Sequence, residues 1–170
     1  TRAPFEVVHV ESKRTIAVGA LELSGRIDRM DRLADGSHAL IDYKTGARVT
    51  SKDWDGPRPD DPQLPLYAVT SEEKVSALAF AKLRAGDMKF SGFSEKKDQL
   101  PGVKQAKSWE GLVDGWKREL AALAGGFASG EAPVDPKYAK NLKTCANCDL
   151  QPLCRVHERL EALAADEEGE

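Results

Sequence analysis

Apolar and polar positions alternate through the first part of the chain, where residues 5–11 (FEVVHVE) and 15–33 (TIAVGALELSGRIDRMDRL) have strand composition. In the second run Leu21, Leu23 and Ile27 share one parity, while Glu22, Ser24, Arg26 and Asp28 share the other. This predicts one buried face, with Asp28 on the opposite one. ADGS (34–37) is a turn signal, and the apolar run HALIDY after it reads as the second strand of a hairpin. Period two then groups Leu40, Asp42 and Lys44 on one face, and Ala39, Ile41 and Tyr43 on the other. Residues 45–62 (TGARVTSKDWDGPRPDDP) are rich in Gly, Pro and Asp and predict a loop leaving the strand just past Lys44. A helix is expected next, with Asp61 as N-cap, Pro62 at its first position, and Gln63 and Tyr67 four apart on one face.

Residues 75–93 (VSALAFAKLRAGDMKFSGF) read as two strands around an AGD turn, with Ala77, Ala79 and Ala81 making a small-residue face that a helix could approach closely. The clearest helix is 108–127. Trp109, Leu112, Val113, Trp116, Leu120, Leu123 and Phe127 follow the 3.6-residue period, Ser108 can cap its start, and Gly125 and Gly126 mark its expected end. Further on, CANCDLQPLC (145–154) leads into a helix started by Pro152, with Leu153, Val156, Leu160 and Leu163 on one stripe. Residues 166–170 are expected to form a disordered acidic tail, leaving one domain over 1–165.

Composition changes this picture little: of 170 residues, 41% are hydrophobic and 31% charged, an ordinary globular balance long enough for a real core. No apolar run reaches membrane-spanning length and the N-terminus lacks the order of a signal peptide, so a cytoplasmic protein without membrane contact is expected. The chain opens into a strand-like run without a methionine, which suggests a piece of something longer. Charge is more informative by region than in total. The net charge is −3, but the last ten residues carry five acids and no bases. Between Lys82 and Arg118, nine Lys/Arg stand against five Asp/Glu, an excess that suits a phosphate backbone but also an ordinary solvated face.

A carboxylate, any residue and a lysine occurs six times: Glu11/Lys13, Asp42/Lys44, Glu72/Lys74, Asp87/Lys89, Glu95/Lys97 and Asp135/Lys137. Only Asp42/Lys44 directly follows an apolar strand core and precedes a Gly-containing loop. Asp28 and Asp42 are nearly equidistant from the turn at Asp35 and Gly36, so the hairpin can set them on adjacent strands, roughly 4.8 Å apart. Carboxylates that close repel unless a proton or cation intervenes, and a magnesium ion would resolve the conflict. Lys44 on the same face could then orient a water or stabilise charge on a phosphoryl group. The same residues would equally make a solvent-facing hairpin, with Asp28 paired to Arg26 or Arg29 and Asp42 to Lys44.

In order and spacing, GRIDRMDRLADG, LIDYKTG and QLPLYA (within 25–68) closely resemble the motifs of the RecB-like branch of the PD-(D/E)XK nucleases, which includes the AddB nuclease domain. The resemblance implies an α/β, restriction-endonuclease-like core: a mixed central sheet flanked by helices, here with a C-terminal Cys-bearing segment and helix. It further implies a DNA exonuclease of repair and recombination that uses magnesium or manganese. Carried over by position, Asp28 and Asp42 would be metal ligands with the carbonyl of Tyr43, and Lys44 the catalytic lysine. Gln63 and Tyr67 would support the site and contact substrate. Arg26, Arg29 and Arg32 are candidates for phosphate contacts, or for structural pairs with neighbouring acids. Trp54 and Arg58 could grip single-stranded DNA or simply anchor the loop.

Cys145, Cys148 and Cys154 are spaced C-x2-C-x5-C, and three clustered cysteines in a cytosolic chain read as metal ligands before a disulfide framework. AddB-like nucleases resemble this, closing a [4Fe–4S] cluster with three such cysteines and one far upstream. This chain has no fourth cysteine, so an iron–sulfur cluster would need a longer parent. Zinc completed by His157 comes second, and unligated thiols third. The family also draws a metal ligand from a helical segment before these strands. Only Glu6, His9 and Glu11 stand there, in strand context. The partners expected are DNA and either an upstream part of the same polypeptide or a helicase–nuclease partner. The alternative function is a catalytically inactive nuclease-fold module that binds DNA or serves as a scaffold.

Overall fold

In the computed structural model, residues 2–46, 49–137 and 143–158 are described. Among them, six strands form one mixed sheet: β1 (Phe5–Val18), β2 (Leu21–Leu33), β3 (His38–Lys44), β4 (Val75–Lys82), β5 (Lys89–Ser94) and β6 (Lys104–Gln105), in sequence order. The first three run antiparallel, β3 and β4 are parallel, β5 turns back against β4, and β6 lies parallel to β5. The parallel pair needs a crossover, and α1 (Gln63–Thr70) supplies it. The long helix α2 is Trp109–Ser129. A short helix, α3 (Gln151–Cys154), follows the first two cysteines and ends on the third. This is the restriction-endonuclease-like α/β architecture expected from the motifs. The chain divides into two compact units, Thr1–Ser129 and Gly130–Glu170.

The expected run 15–33 is two strands. Gly19 takes a left-handed φ of +58° and closes a tight turn between β1 and β2, so β1 runs unbroken from Phe5 through residues 15–18. The parity expected for β2 also fails in part, because Ile27 and Met30, three apart, both enter the core while Leu23 is partly exposed. A positive φ at Glu11, which lies between the Val10–Arg29 and Ser12–Ile27 pairs, accompanies this change of face. The 33–38 turn forms as expected, with Asp35 Oδ1 accepting from the Ser37 amide (3.1 Å) and hydroxyl (2.5 Å).

Every residue of β4 is buried, so this strand is central and covered on both faces. One face carries Leu78 and Phe80 with Met30 and Leu40, packed against Leu64 and Tyr67 of α1 and Trp116 and Leu120 of α2. Large side chains buried this completely contribute about 1.5–3 kcal/mol each. The other face is a thin layer of Ala39, Ile41, Ala77, Ala79 and Ala81 covered by Leu100, with Leu33, Phe90 and Val103 alongside. A helix could have approached those alanines closely; among the described residues the bends and turns around Leu100 close them instead.

Two helix ends differ from expectation. Ser108 caps α2 as foreseen, its Oγ accepting from the Gly111 amide at 3.1 Å, but α2 continues through Gly125 and Gly126 to Ser129. Helical hydrogen bonding and the packing of Ala124 outweigh the weak propensity of the two glycines. α3 starts beside Pro152 but stops at Arg155, which has a left-handed φ of 53°. Leu153 is therefore 79% exposed while Val156 is buried, so these two share no stripe. Leu160, Leu163 and the acidic tail lie outside the described residues.

Candidate active site

β2 and β3 pair in register from Arg32↔His38 to Arg29↔Ile41. One residue further, Asp28 and Asp42 face each other across the end of the ladder. There the Asp28 carboxylate, rather than a backbone carbonyl, accepts from the Tyr43 amide at 3.0 Å. The hairpin and turn signals had implied this apposition; the side-chain-to-backbone bond that ends the pairing had no sequence signal.

Asp42 keeps step with Leu40, and so lies on the helix-covered face. Its side chain is 5% exposed, and Oδ2 is 3.0 Å from Lys44 Nζ. This is an ion-pair contact without hydrogen-bond alignment, and it leaves Asp42 Oδ2 buried with no hydrogen-bond partner. Burial first, with the nearby Asp28 and Asp61 charges, raises the Asp42 pKa, against the lowering effect of Lys44. Lys44 also touches Asp61 Oδ2 at 3.1 Å, and its ammonium stands 5.1 Å from the Phe80 ring centroid. Burial pulls the Lys44 pKa down, but Asp42 and Asp61 together outweigh it, so the net shift is upward. The ammonium is the neutral-pH form.

Asp61 joins this cluster through Lys44, a contact missed from the sequence, where Asp61 was read as a helix cap. The structure sets the cap at Pro62, with no side-chain capping bond, because the Asp61 carboxylate turns to Lys44 instead. The preceding loop delivers it. Thr50 caps a 3₁₀ turn at Ser51–Trp54, the Asp61 amide donates to the Asp53 carbonyl at 3.0 Å, and Trp54 is fully buried. The Trp54 ring packs on Phe80, Phe93 and Trp116 at centroid distances of 4.9, 6.1 and 6.2 Å. Trp54 therefore anchors the loop and has no face left to stack on a base. Arg58 lies exposed on the same loop.

Tyr67 is buried, and its hydroxyl both accepts from the Arg26 amide (2.9 Å) and donates to the Arg26 carbonyl (3.0 Å). Gln63 Nε2 approaches the same hydroxyl at 3.4 Å. These two residues fasten α1 to the β2 backbone two positions before Asp28. The fit requires Gly25, since a Cβ there would lie 2.8 Å from both Ile16 and the Tyr67 ring.

The arginines are committed elsewhere. Arg29 grips the buried Asp31 through Nε (2.7 Å) and Nη2 (3.1 Å), and Nη1 donates to the Tyr43 hydroxyl at 3.2 Å. Its position beside Ile41 puts it on the opposite face of the sheet from Asp42. Arg26 pairs with Glu11 at 3.1 Å and Arg32 with Glu6. Glu6 and Glu11 are thereby engaged, and His9 stands 3.8 Å from Glu73.

No group of three or more His, Cys, Asp or Glu among the described residues is arranged to hold a metal ion. Asp28 and Asp42 form a two-carboxylate set, which is enough for a magnesium ion that keeps its waters. The orphaned buried Asp42 oxygen fits such an ion. The cysteines do not form a comparable set. All three are free thiols; Cys154 Sγ approaches the Gln151 carbonyl at 3.5 Å, and His157 Nε2 lies 3.2 Å from Gln151 Oε1 rather than on a sulfur.

Residues 1–155 match the PD-(D/E)XK nuclease superfamily, and the chain belongs to it. No curated protein matches the chain. Among solved structures, the crystal structure of SSO0001 is similar at 14% identity with a TM-score of 0.46, covering 86% of this chain. The chain spans 59% of the length of that protein. No described helix is long and apolar enough to cross a membrane.

Proposed function

We propose that the chain is a magnesium- or manganese-dependent DNA exonuclease of the RecB/AddB-like kind, hydrolysing phosphodiester bonds in repair and recombination. The observation that carries this reading is the buried Asp42 carboxylate, its Oδ2 in ion-pair contact with Lys44 but without a hydrogen-bond partner, beside Asp28 in a chain of the nuclease superfamily. Asp28, Asp42 and the Tyr43 carbonyl would hold the ion, which when bound supplies charge stabilisation and an acidified water. Lys44 Nζ, cationic and held at the strand end, stabilises charge developing on a phosphoryl oxygen. Asp28 fixes the Tyr43 backbone through the amide. Gln63 and Tyr67 act by positioning β2, and Arg58 is the loop residue offered to DNA. The cysteine segment does not fit a cluster on its own residues, and no step runs through it.

A second reading, a nuclease-fold DNA-binding or scaffold module without chemistry, is favoured by one observation: Lys44 closes on the carboxylate a metal would need. Digestion of single- and double-stranded DNA with magnesium or manganese separates the two. Lys44→Ala and Asp42→Asn should each lower the rate by at least about 100-fold. A wild-type chain as inert as these variants, yet still retarding DNA on a gel, rejects the enzyme in favour of the scaffold.

A further inference from the structure

Lys44 stands between two carboxylates at nearly equal distances, Asp42 Oδ2 at 3.0 Å and Asp61 Oδ2 at 3.1 Å. They arrive by unrelated routes. Asp42 comes from the same strand, two residues before Lys44. Asp61 comes from the far end of a seventeen-residue excursion, and its position is fixed by the buried Trp54, the 3₁₀ turn and the hydrogen bond that the Asp61 amide donates to the Asp53 carbonyl. An ammonium held only by Asp42 would compete directly with a divalent cation for that oxygen. With Asp61 in place, Lys44 keeps a charged partner when Asp42 turns to the ion.

We propose that Asp61 is a positioning residue that holds the Lys44 ammonium, so that Asp42 is released to a divalent cation while the lysine stays at the reaction centre. This rests on the metal-dependent nuclease reading. The division of labour is electrostatic: one base shared by two acids lets one acid leave without stranding a buried charge. Asp61 touches neither the phosphorus nor the ion. It acts through Lys44.

The test is a double-mutant cycle read by Mn²⁺ binding to the full 170-residue chain, followed by electron paramagnetic resonance in the absence of DNA. Asp61→Asn should weaken binding about fivefold, and Asp61→Glu should restore it to within about twofold of wild type. On a Lys44→Met background, the same Asp61→Asn change should shift binding by less than about twofold. In DNA digestion, Asp61→Asn should lower kcat with KM unchanged. An equal loss with and without Lys44 overturns the proposal, because Asp61 would then act on the ion directly. So does the absence of any loss, or a fall in thermal stability that Asp61→Glu does not repair. A wild-type chain that binds no Mn²⁺ rejects the nuclease reading itself, and the proposal with it, and is distinguished by the missing first arm of the cycle.

Discussion

Two acid–lysine triplets lie one strand apart in the sheet: Asp42-Tyr43-Lys44 ends β3, and Asp87-Met88-Lys89 enters β5, with Lys82 of β4 in register with both lysines. Both make the local ion pair, Lys44 to Asp42 at 3.0 Å and Lys89 to Asp87 at 2.9 Å. Their surroundings are opposite. Asp87 is one acid between two bases, since Lys82 also reaches it at 2.6 Å; Lys44 is one base between two acids. The Asp87 side chain is 40% exposed, and its pKa is drawn down to about 2, chiefly by Lys82 and then Lys89. Asp42 is buried and its pKa moves upward. The same three-residue pattern thus yields a relaxed surface pair in one place and an unsettled carboxylate in the other. Burial and the sign of the surrounding charge separate them, not the triplet.

The largest blow to this contrast should come from Trp54→Ala. Removing a fully buried indole from among Phe80, Phe93 and Trp116 should cost about 3–5 kcal/mol in denaturant unfolding and loosen the loop that brings Asp61 to Lys44. Next comes a direct comparison of the triplets. Asp42→Asn should lower DNA cleavage at least about 100-fold with no loss of thermal stability, whereas Asp87→Asn should leave cleavage within about twofold. If both variants lose cleavage equally, the distinction drawn from burial is wrong. Gly25→Ala should cost about 1–3 kcal/mol, because its methyl group collides with Ile16 and Tyr67. Removing the Tyr67 ring by Tyr67→Leu should relieve part of that clash and make the pair less than additive.

The smallest effect is in pH dependence. Asp42 binds its proton more tightly folded than unfolded, so its contribution to stability falls as pH rises from its ordinary 3.8 through the raised folded value. Asp87 does the reverse: its contribution is present above 3.8 and is lost as pH falls towards about 2. Exposure and salt screening keep the Asp87 contribution small. Unfolding midpoints taken across this range should show Asp42→Asn gaining on wild type as pH rises. Asp87→Asn should trail wild type slightly, and less so in high salt.

Much of the site could be read from local pattern. The apolar run 38–43 after a turn signal implied the hairpin, and a two-residue period put Leu40, Asp42 and Lys44 on one face. Gln63 and Tyr67 share a helix face because the 3.6-residue period brings positions four apart together. Where the pattern misled, a nonlocal contact had won. Gly19 cut a run that alternation alone could not divide, and the parity of β2 shifted opposite Glu11, whose φ is positive. Asp61 looked like a cap because the residue before a proline and a helix commonly is one. Arg29 looked available to phosphate, and instead meets Asp31 on the far face.

By itself, the sequence determined the order and most of the types of the elements, the turn at 34–37, the apposition of Asp28 with Asp42, and the motifs that mark the superfamily. These depend on neighbours a few residues apart or on a single hairpin register. Only the tertiary structure decided which of six acid–lysine triplets is buried, that Trp54 belongs to the core, and that Asp61 shares Lys44 with Asp42. Burial and charge pairing arise from segments distant along the chain, and no local period encodes which carboxylate will lose its water.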